Sequence, residues 1–352
     1  MPAITDSMTP KERITAWKNG LPYDRIPCGV TVGEQAAVLA GFTSSDYPLS
    51  PANAAKVQIT AYKIFGQEIV SGGFNLSDEL TKFLVSRIDV KPKVGEFPLK
   101  NKKDIQKLEI LEPAKSKSFL RGLETLQILL QEVGDEVPVG THINGPMTLA
   151  GRLRGAEDLM RDIYYDPEFV KELLDLCVKI MVPFVREMIG YDVTVSIMDP
   201  VSSGSLIGPK TFTAFSYPYM RRLIKEITDV SQPPNLHICG NINNILEYMA
   251  DSGAGLIMNI DELVDLAVVK RKIGQKIAFS GNVRSVDSVL LGTPQTVEDN
   301  VKECLRKAWN SPKGYIVSLD GLPKAAPLEN IHALFNAVRK YGKYPIDPAL
   351  FS

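Results

Sequence analysis

Apolar residues recur along this chain with two alternating periods. Short β-branched runs are separated by longer stretches with apolar residues at helical spacing. The short runs predict strands at Arg25–Val30, Glu68–Gly72, Val137–His142, Val193–Met198, Asn235–Cys239, Gly255–Ile260, Lys276–Ser280 and Gly314–Leu319. Most are followed by a helical pattern, as in Ile242–Asp251, Leu263–Ile273 and Thr296–Ala308. Strand–helix alternation carried through all of these predicts an α/β fold, a (β/α)8 TIM barrel, with no linker dividing residues 1–352 into two domains. Residues 1–20 predict a helical arm, with Thr9-Pro10-Lys11-Glu12 as its N-cap and first turn. Residues 74–136 are too long for one crossover helix and predict an insertion near the barrel mouth.

Charge narrows the function classes. Lys and Arg number 40 against 41 Asp and Glu, for a net charge of −1, so nothing favours a nucleic-acid or other polyanionic partner. No apolar run reaches the ~20 residues that span a bilayer. Met1–Arg13 is polar and lacks the apolar stretch of a signal peptide. Cys28, Cys177, Cys239 and Cys304 are scattered and do not form a disulfide framework. A reduced, cytoplasmic protein is expected.

Candidate chemistry falls at the strand ends, where a barrel places its active site. The predicted strands end near His142 and Asn144, Asp199, His237 and Cys239, Asp261, Asn282, and Asp320. His237 and Cys239 are two residues apart on one strand, so they share a face and make half of a zinc site. Each also has a plain structural reading, as a satisfied core imidazole and a small buried hydrophobe. A catalytic zinc takes three protein ligands. Cys28 sits on the first strand, and Cys177 and Cys304 sit on helices, so Asp320 is the best candidate for a third donor by position. In Leu319-Asp320-Gly321-Leu322-Pro323 it also reads as a turn residue. Asp199, before Pro200, is a catalytic or a capping carboxylate. Asp261 reads as a helix cap, and Asn282 as a substrate contact or a loop holder. His142 and Asp199 are the candidates for proton handling, and Asn144, Asn241 and Asn282 for substrate contact. His332 lies in an amphipathic helical pattern, Leu328–Arg339, as a surface or packing residue.

The chain resembles the uroporphyrinogen decarboxylase superfamily nearly end to end. It is more similar to the corrinoid-linked methyltransferases there than to the decarboxylases. The resemblance rests on Thr9-Pro10-Lys11-Glu12-Arg13 with Asp24-Arg25-Ile26-Pro27 and on Asn144-Gly145-Pro146-Met147-Thr148-Leu149-Ala150. It continues through Asp199-Pro200-Val201-Ser202-Ser203, Pro218-Tyr219, His237-Ile238-Cys239-Gly240-Asn241, Ser280-Gly281-Asn282-Val283 and Pro327-Leu328-Glu329-Asn330-Ile331. The decarboxylases carry an Arg-Gln-Ala-Gly-Arg segment for substrate carboxylates. Gly29-Val30-Thr31-Val32-Gly33-Glu34-Gln35 stands there instead, with no Arg, which disfavours porphyrinogen decarboxylation.

The family's zinc-dependent thiol methyltransferases use His-x-Cys and a distant Cys. Counting back from Pro327, that Cys position falls on Asp320. Asp is a valid zinc ligand of the same charge but a harder one. The resemblance therefore implies zinc on His237, Cys239 and Asp320, a corrinoid (cobalamin) carried by a partner protein, and a small methylated substrate. The harder donor set leans toward a methoxylated compound and O-demethylation. A thiol methyltransferase of the coenzyme M type, a decarboxylase of another acid and a catalytically silent barrel stay open, as does a homodimer.

Overall fold

The computed structural model describes residues 6–43, 45–72, 97–108, 110 and 112–351. Its strands are β1 (Val70–Ser71), β2 (Val139–Asn144), β3 (Thr194–Met198), β4 (Asn235–His237), β5 (Leu256–Ile260), β6 (Ala278–Asn282) and β7 (Tyr315–Ser318). In chain order the main helices are α1 (Pro10–Lys18), α2 (Glu34–Leu39), α3 (Pro51–Phe65), α4 (Lys117–Val133), α5 (Pro146–Arg154), α6 (Ala156–Tyr165) and α7 (Pro167–Ile189). They continue with α8 (Tyr217–Thr228), α9 (Leu246–Ala250), α10 (Leu266–Ile273), α11 (Pro294–Ala308) and α12 (Leu328–Tyr341). This is an α/β fold. Each described pairing is parallel and joins strands consecutive in the chain: β1 with β2, β3 with β4, β5 with β6, and β6 with β7. Among the described residues, no helix is long and apolar enough to cross a membrane.

The chain divides into two compact units. One comprises Met1–Gly72, Glu124–Gly140 and Leu256–Ser352. The other comprises Gly73–Leu123 and Thr141–Gly255.

In the first unit the expected helical arm is present. Thr9 and Glu12 cap α1 reciprocally: Glu12 N–H donates to Thr9 Oγ1 and Thr9 N–H to Glu12 Oε2. Trp17 of α1 packs against Leu256, Ala278 and Ile316, at the amino ends of β5 to β7. That end is apolar, so the polar strand ends lie opposite.

Seven of the eight expected strands form among the described residues. Arg25–Val30 does not; it is reduced to two isolated bridges, Arg25 to Lys343 (antiparallel) and Cys28 to Val317 of β7 (parallel). Gly29 N–H donates to Val317 O (2.8 Å), and Val317 N–H donates to Pro27 O (3.0 Å). Pro27 has no N–H to offer. The next amides are taken by side chains: Cys28 N–H donates to Glu68 Oε1 (3.0 Å) and Val32 N–H to Gln67 Oε1 (2.6 Å). The segment thus lies between β7 and the residues leading into β1, bonded to both.

Of the expected insertion 74–136, residues 74–96 lie outside the described residues. Its last part is α4, whose Phe119, Leu123, Leu126, Leu129 and Val133 are buried at helical spacing. It is the ordinary crossover helix between β1 and β2.

Candidate metal and substrate site at the carboxyl ends of β2 to β4

In the second unit, Met198 of β3 pairs with His237 of β4. Just beyond, Gly145 N–H donates to Met198 O (2.7 Å) and Asp199 N–H donates to His237 O (2.9 Å). These bonds bring the carboxyl ends of β2, β3 and β4 to one level. His142, Asn144, Asp199, His237, Cys239 and Asn241 are therefore gathered in one region.

His237 is buried at the last position of β4. Ile238 is buried and Cys239 half-buried. The strand ends two residues earlier than expected because Gly240 turns the backbone at φ 75°. The donor set fits zinc chemically: an imidazole and a thiol alternate around a core isoleucine. Cys239 is also the one cysteine that is not buried. Burial pushes the Cys28 thiol up to about 12, with the Glu68 charge adding to it, and the Cys304 thiol up to about 11. Burial raises Cys177 as well. We expect iodoacetamide to label Cys239 alone in the native protein, and all four cysteines in urea, as read by peptide mass spectrometry. Native labelling at Cys28, Cys177 or Cys304 would contradict this arrangement.

β2 is buried at Thr141 and Ile143, yet His142 between them is exposed. Protein nevertheless surrounds the ring enough that desolvation holds its imidazole below the ordinary range. Its imidazole can accept a proton or a hydrogen bond.

Asp199 is fully buried. Its Oδ1 accepts from Thr148 N–H (2.7 Å), and its Oδ2 accepts from the Ser202 hydroxyl (2.8 Å). Burial raises this carboxyl, and the bonds from Thr148, Ser202 and Met147 reduce that rise without cancelling it. Met147 and Thr148 belong to the first turn of α5, whose N-cap residue, Gly145, has no side chain. A Cβ there would lie 2.2 Å from the Asp199 carboxyl carbon. Asp199 thus caps α5 from β3, more than fifty residues away along the chain.

Asn241 is a turn former: its Oδ1 accepts from Asn243 N–H (3.1 Å).

In the first unit, Asn282 donates through its amide to Asp261 O (3.2 Å) and Val264 O (2.6 Å). It holds the loop after β5. Asp261 Oδ1 accepts from Leu263 N–H (2.9 Å), closing a turn, while Asp265 is the N-cap of α10. Asp320 is half-buried just past β7. His332 lies on the exposed side of α12 and packs on Phe65 with the rings tilted and their centroids 4.8 Å apart. Among the described residues, no group of three or more His, Cys, Asp or Glu side chains is gathered for a metal.

Sequence pattern passed over three features. Ser203 and Ser205 bond the backbone that carries Cys239. Thr148 offers its amide to Asp199. Asn259 sits at φ 52° in a β5 irregularity where Met258 and Asn259 together oppose Ser280. The only advance signal was the density of Ser and Gly in Ser202-Ser203-Gly204-Ser205.

Residues 9–341 match the uroporphyrinogen decarboxylase (URO-D) family model. The chain belongs to the uroporphyrinogen decarboxylase family. It is 27% identical to the methylcobamide:CoM methyltransferase MtbA of Methanosarcina acetivorans, covering 95% of this chain and 98% of that one. It is 28% identical to the methylcobamide:CoM methyltransferase MtaA of Methanosarcina barkeri, with the same coverage. A uroporphyrinogen decarboxylase of Trichodesmium erythraeum is 28% identical over 72% of each chain. A solved methyltransferase from Methanosarcina mazei has the same fold, with a TM-score of 0.80 over 95% of this chain and 24% identity. Within the family the chain falls on the methyltransferase side.

Proposed function

We propose that this chain catalyses methyl transfer between a small molecule and the cobalt of a separate corrinoid protein. The domain that does so is a single (β/α)8 barrel with Arg25–Val30 in the eighth strand position. The observation that carries the reading is His237 beside the solvent-accessible Cys239 at the end of β4, in a chain of this family. His237 and Cys239 would hold zinc. Asp320 is the third donor, on its sequence correspondence with the Cys of zinc methyltransferases. Bound there, zinc supplies a Lewis acid for the heteroatom that gives or receives the methyl group.

The chain's own groups do the rest. His142, near the end of β2, can take a proton or order the substrate. Asp199 holds α5 and the strand ends in place rather than facing substrate. Asn144 and Asn241 stand at the same strand ends as substrate contacts, whereas the Asn282 amide is spent on loop carbonyls. Asp320 makes the donor set harder than two thiolates would, which supports an oxygen substrate and demethylation of a methoxylated compound. The second reading is a methylcobamide:thiol methyltransferase, favoured by the activities of the relatives from Methanosarcina.

The test is zinc per chain on protein purified without chelator, for wild type, His237→Ala, Cys239→Ala and Asp320→Ala. About one zinc in the wild type, lost in the first two variants, is expected. Loss in Asp320→Ala fixes the third donor; retention moves it elsewhere. Turnover of a methoxylated donor by a cobalt(I) corrinoid then separates the oxygen reading from transfer between methylcobalamin and coenzyme M. A folded wild type without zinc overturns the reading and leaves the decarboxylase.

A further inference from the structure

Ser203-Gly204-Ser205 lies directly against Cys239-Gly240-Asn241. The Ser203 hydroxyl donates to Cys239 O at 2.7 Å. The Ser205 hydroxyl accepts from Asn241 N–H at 2.9 Å. Ser205 N–H in turn donates to Ser203 Oγ at 3.2 Å, joining the two contacts. Gly240 fits between them at φ 75°, and a Cβ on it would sit 2.8 Å from each hydroxyl oxygen. Gly204 is as tight on the other side, where a Cβ would lie 2.4 Å from Asn241 O. The two glycines let the segments close to a distance that other residues forbid. Asp199 N–H on His237 O fixes the peptide that follows the first donor. Three points on the backbone carrying both donors, at His237, Cys239 and Asn241, are therefore held from the loop after β3.

We propose that Ser203 and Ser205 are positioning residues for Cys239, setting the direction of its thiol toward the metal. The inference rests on the reading of Cys239 as a zinc donor. Groups that orient a ligand without touching the metal change its affinity about 10- to 100-fold when removed. The two serines act through the peptide on either side of Gly240 rather than through the sulfur. The loop they belong to continues to Leu206, which is exposed.

The experiment compares wild type, Ser203→Ala, Ser203→Thr and Ser205→Ala. Ser205 is exposed, so its variant reports even if Ser203→Ala does not fold. Zinc affinity is measured by competition with a chromophoric chelator, and cobalt(II) substitution gives the thiolate charge-transfer band. The alkylation rate of Cys239 is taken on metal-free protein at one pH. We expect both Ala variants to lose about tenfold or more in zinc affinity and to shift the cobalt(II) band, with Ser203→Thr restoring most of the loss. The metal-free alkylation rate should change in the same variants. Unchanged affinity, band and alkylation rate in Ser205→Ala and in any folded Ser203→Ala overturn the positioning role while leaving the zinc reading intact. A wild type that binds no zinc overturns the zinc reading; the alkylation rates then decide the positioning role alone.

Discussion

Glu68→Ala costs about 3–5 kcal/mol of folding free energy, the range for breaking a buried ion pair by removing one partner. Glu68 is 2% exposed and carries two guanidinium groups, Arg25 at 2.5 Å and Arg13 at 3.2 Å, both buried. Its Oε1 also accepts from Cys28 N–H. Truncation leaves two buried cations without this partner and strands a backbone amide, each costing more than the lost contact itself. Glu68→Gln keeps an acceptor for the amide but removes the charge, so it falls between wild type and Glu68→Ala. Urea unfolding gives the ordering, and a loss below about 1 kcal/mol in Glu68→Ala would sink the argument.

The same cluster sets an acid limit. Burial alone would raise the Asp6 carboxyl, but its bond to Arg25 and the charges of Arg25, Arg13 and Arg339 hold it below the usual range. Burial likewise opposes Asp24, and its bond to Arg13 with the charges of Arg13 and Arg25 wins. A depressed carboxyl stabilises the folded state above its unfolded value, about 4, and that stability is lost as pH falls through the lower folded value. The contribution of Asp6 and Asp24 to the urea midpoint should therefore hold from pH 7 to about 5 and decline below about 4.

That cluster also explains where sequence legibility stopped in the fold. Apolar period and turn residues located β1 to β7, because a parallel strand buried on both faces shows itself as a short apolar run. Arg25–Val30 has the same apolar content. Which hydrogen bonds its amides make is decided by Glu68 and Gln67, some forty residues on, and no local pattern carries that information. The helical period of α4 was readable in Phe119, Leu123, Leu126, Leu129 and Val133. It was hidden by the length of chain before it.

The site divides the same way. His237 and Cys239 could be singled out by their spacing of two, which puts residues of one strand on one face; β4 ends at His237, so Cys239 follows the strand rather than lying on it. Asn282 was not, since its amide could meet a substrate or the carbonyls of Asp261 and Val264, and only the loop path decides. Ser203 and Ser205 act on backbone atoms thirty-six residues away, where side-chain pattern is silent.

Asp199 is the sharpest case, and its two variants separate chemistry from architecture. Asp199→Ala removes the acceptor for Thr148 N–H, the partner of the Ser202 hydroxyl and the cap of α5 together. Lost caps cost about 1 kcal/mol, and buried polar groups left unpaired cost about 1–3 kcal/mol each, so about 2–4 kcal/mol is expected in urea unfolding. Asp199→Asn keeps the shape. Its amide oxygen can accept from Thr148 N–H, and its NH2 can donate to Ser202 Oγ, which then donates to Ser216 Oγ, 2.6 Å away. The folded Asp199 carboxyl lies above its ordinary value, so the folded state binds that proton more tightly than the unfolded chain. Its contribution is fully present below the unfolded value, about 4, and declines as pH rises through the folded one. Where the carboxyl is charged, its burial is a burden that Asn removes, and Asp199→Asn should stay within about 1 kcal/mol of wild type. Zinc content and methyl transfer should survive in Asp199→Asn if the carboxylate is architectural. A stable, zinc-loaded Asp199→Asn that has lost turnover would instead put a proton of Asp199 into the reaction and return His142 to a supporting part.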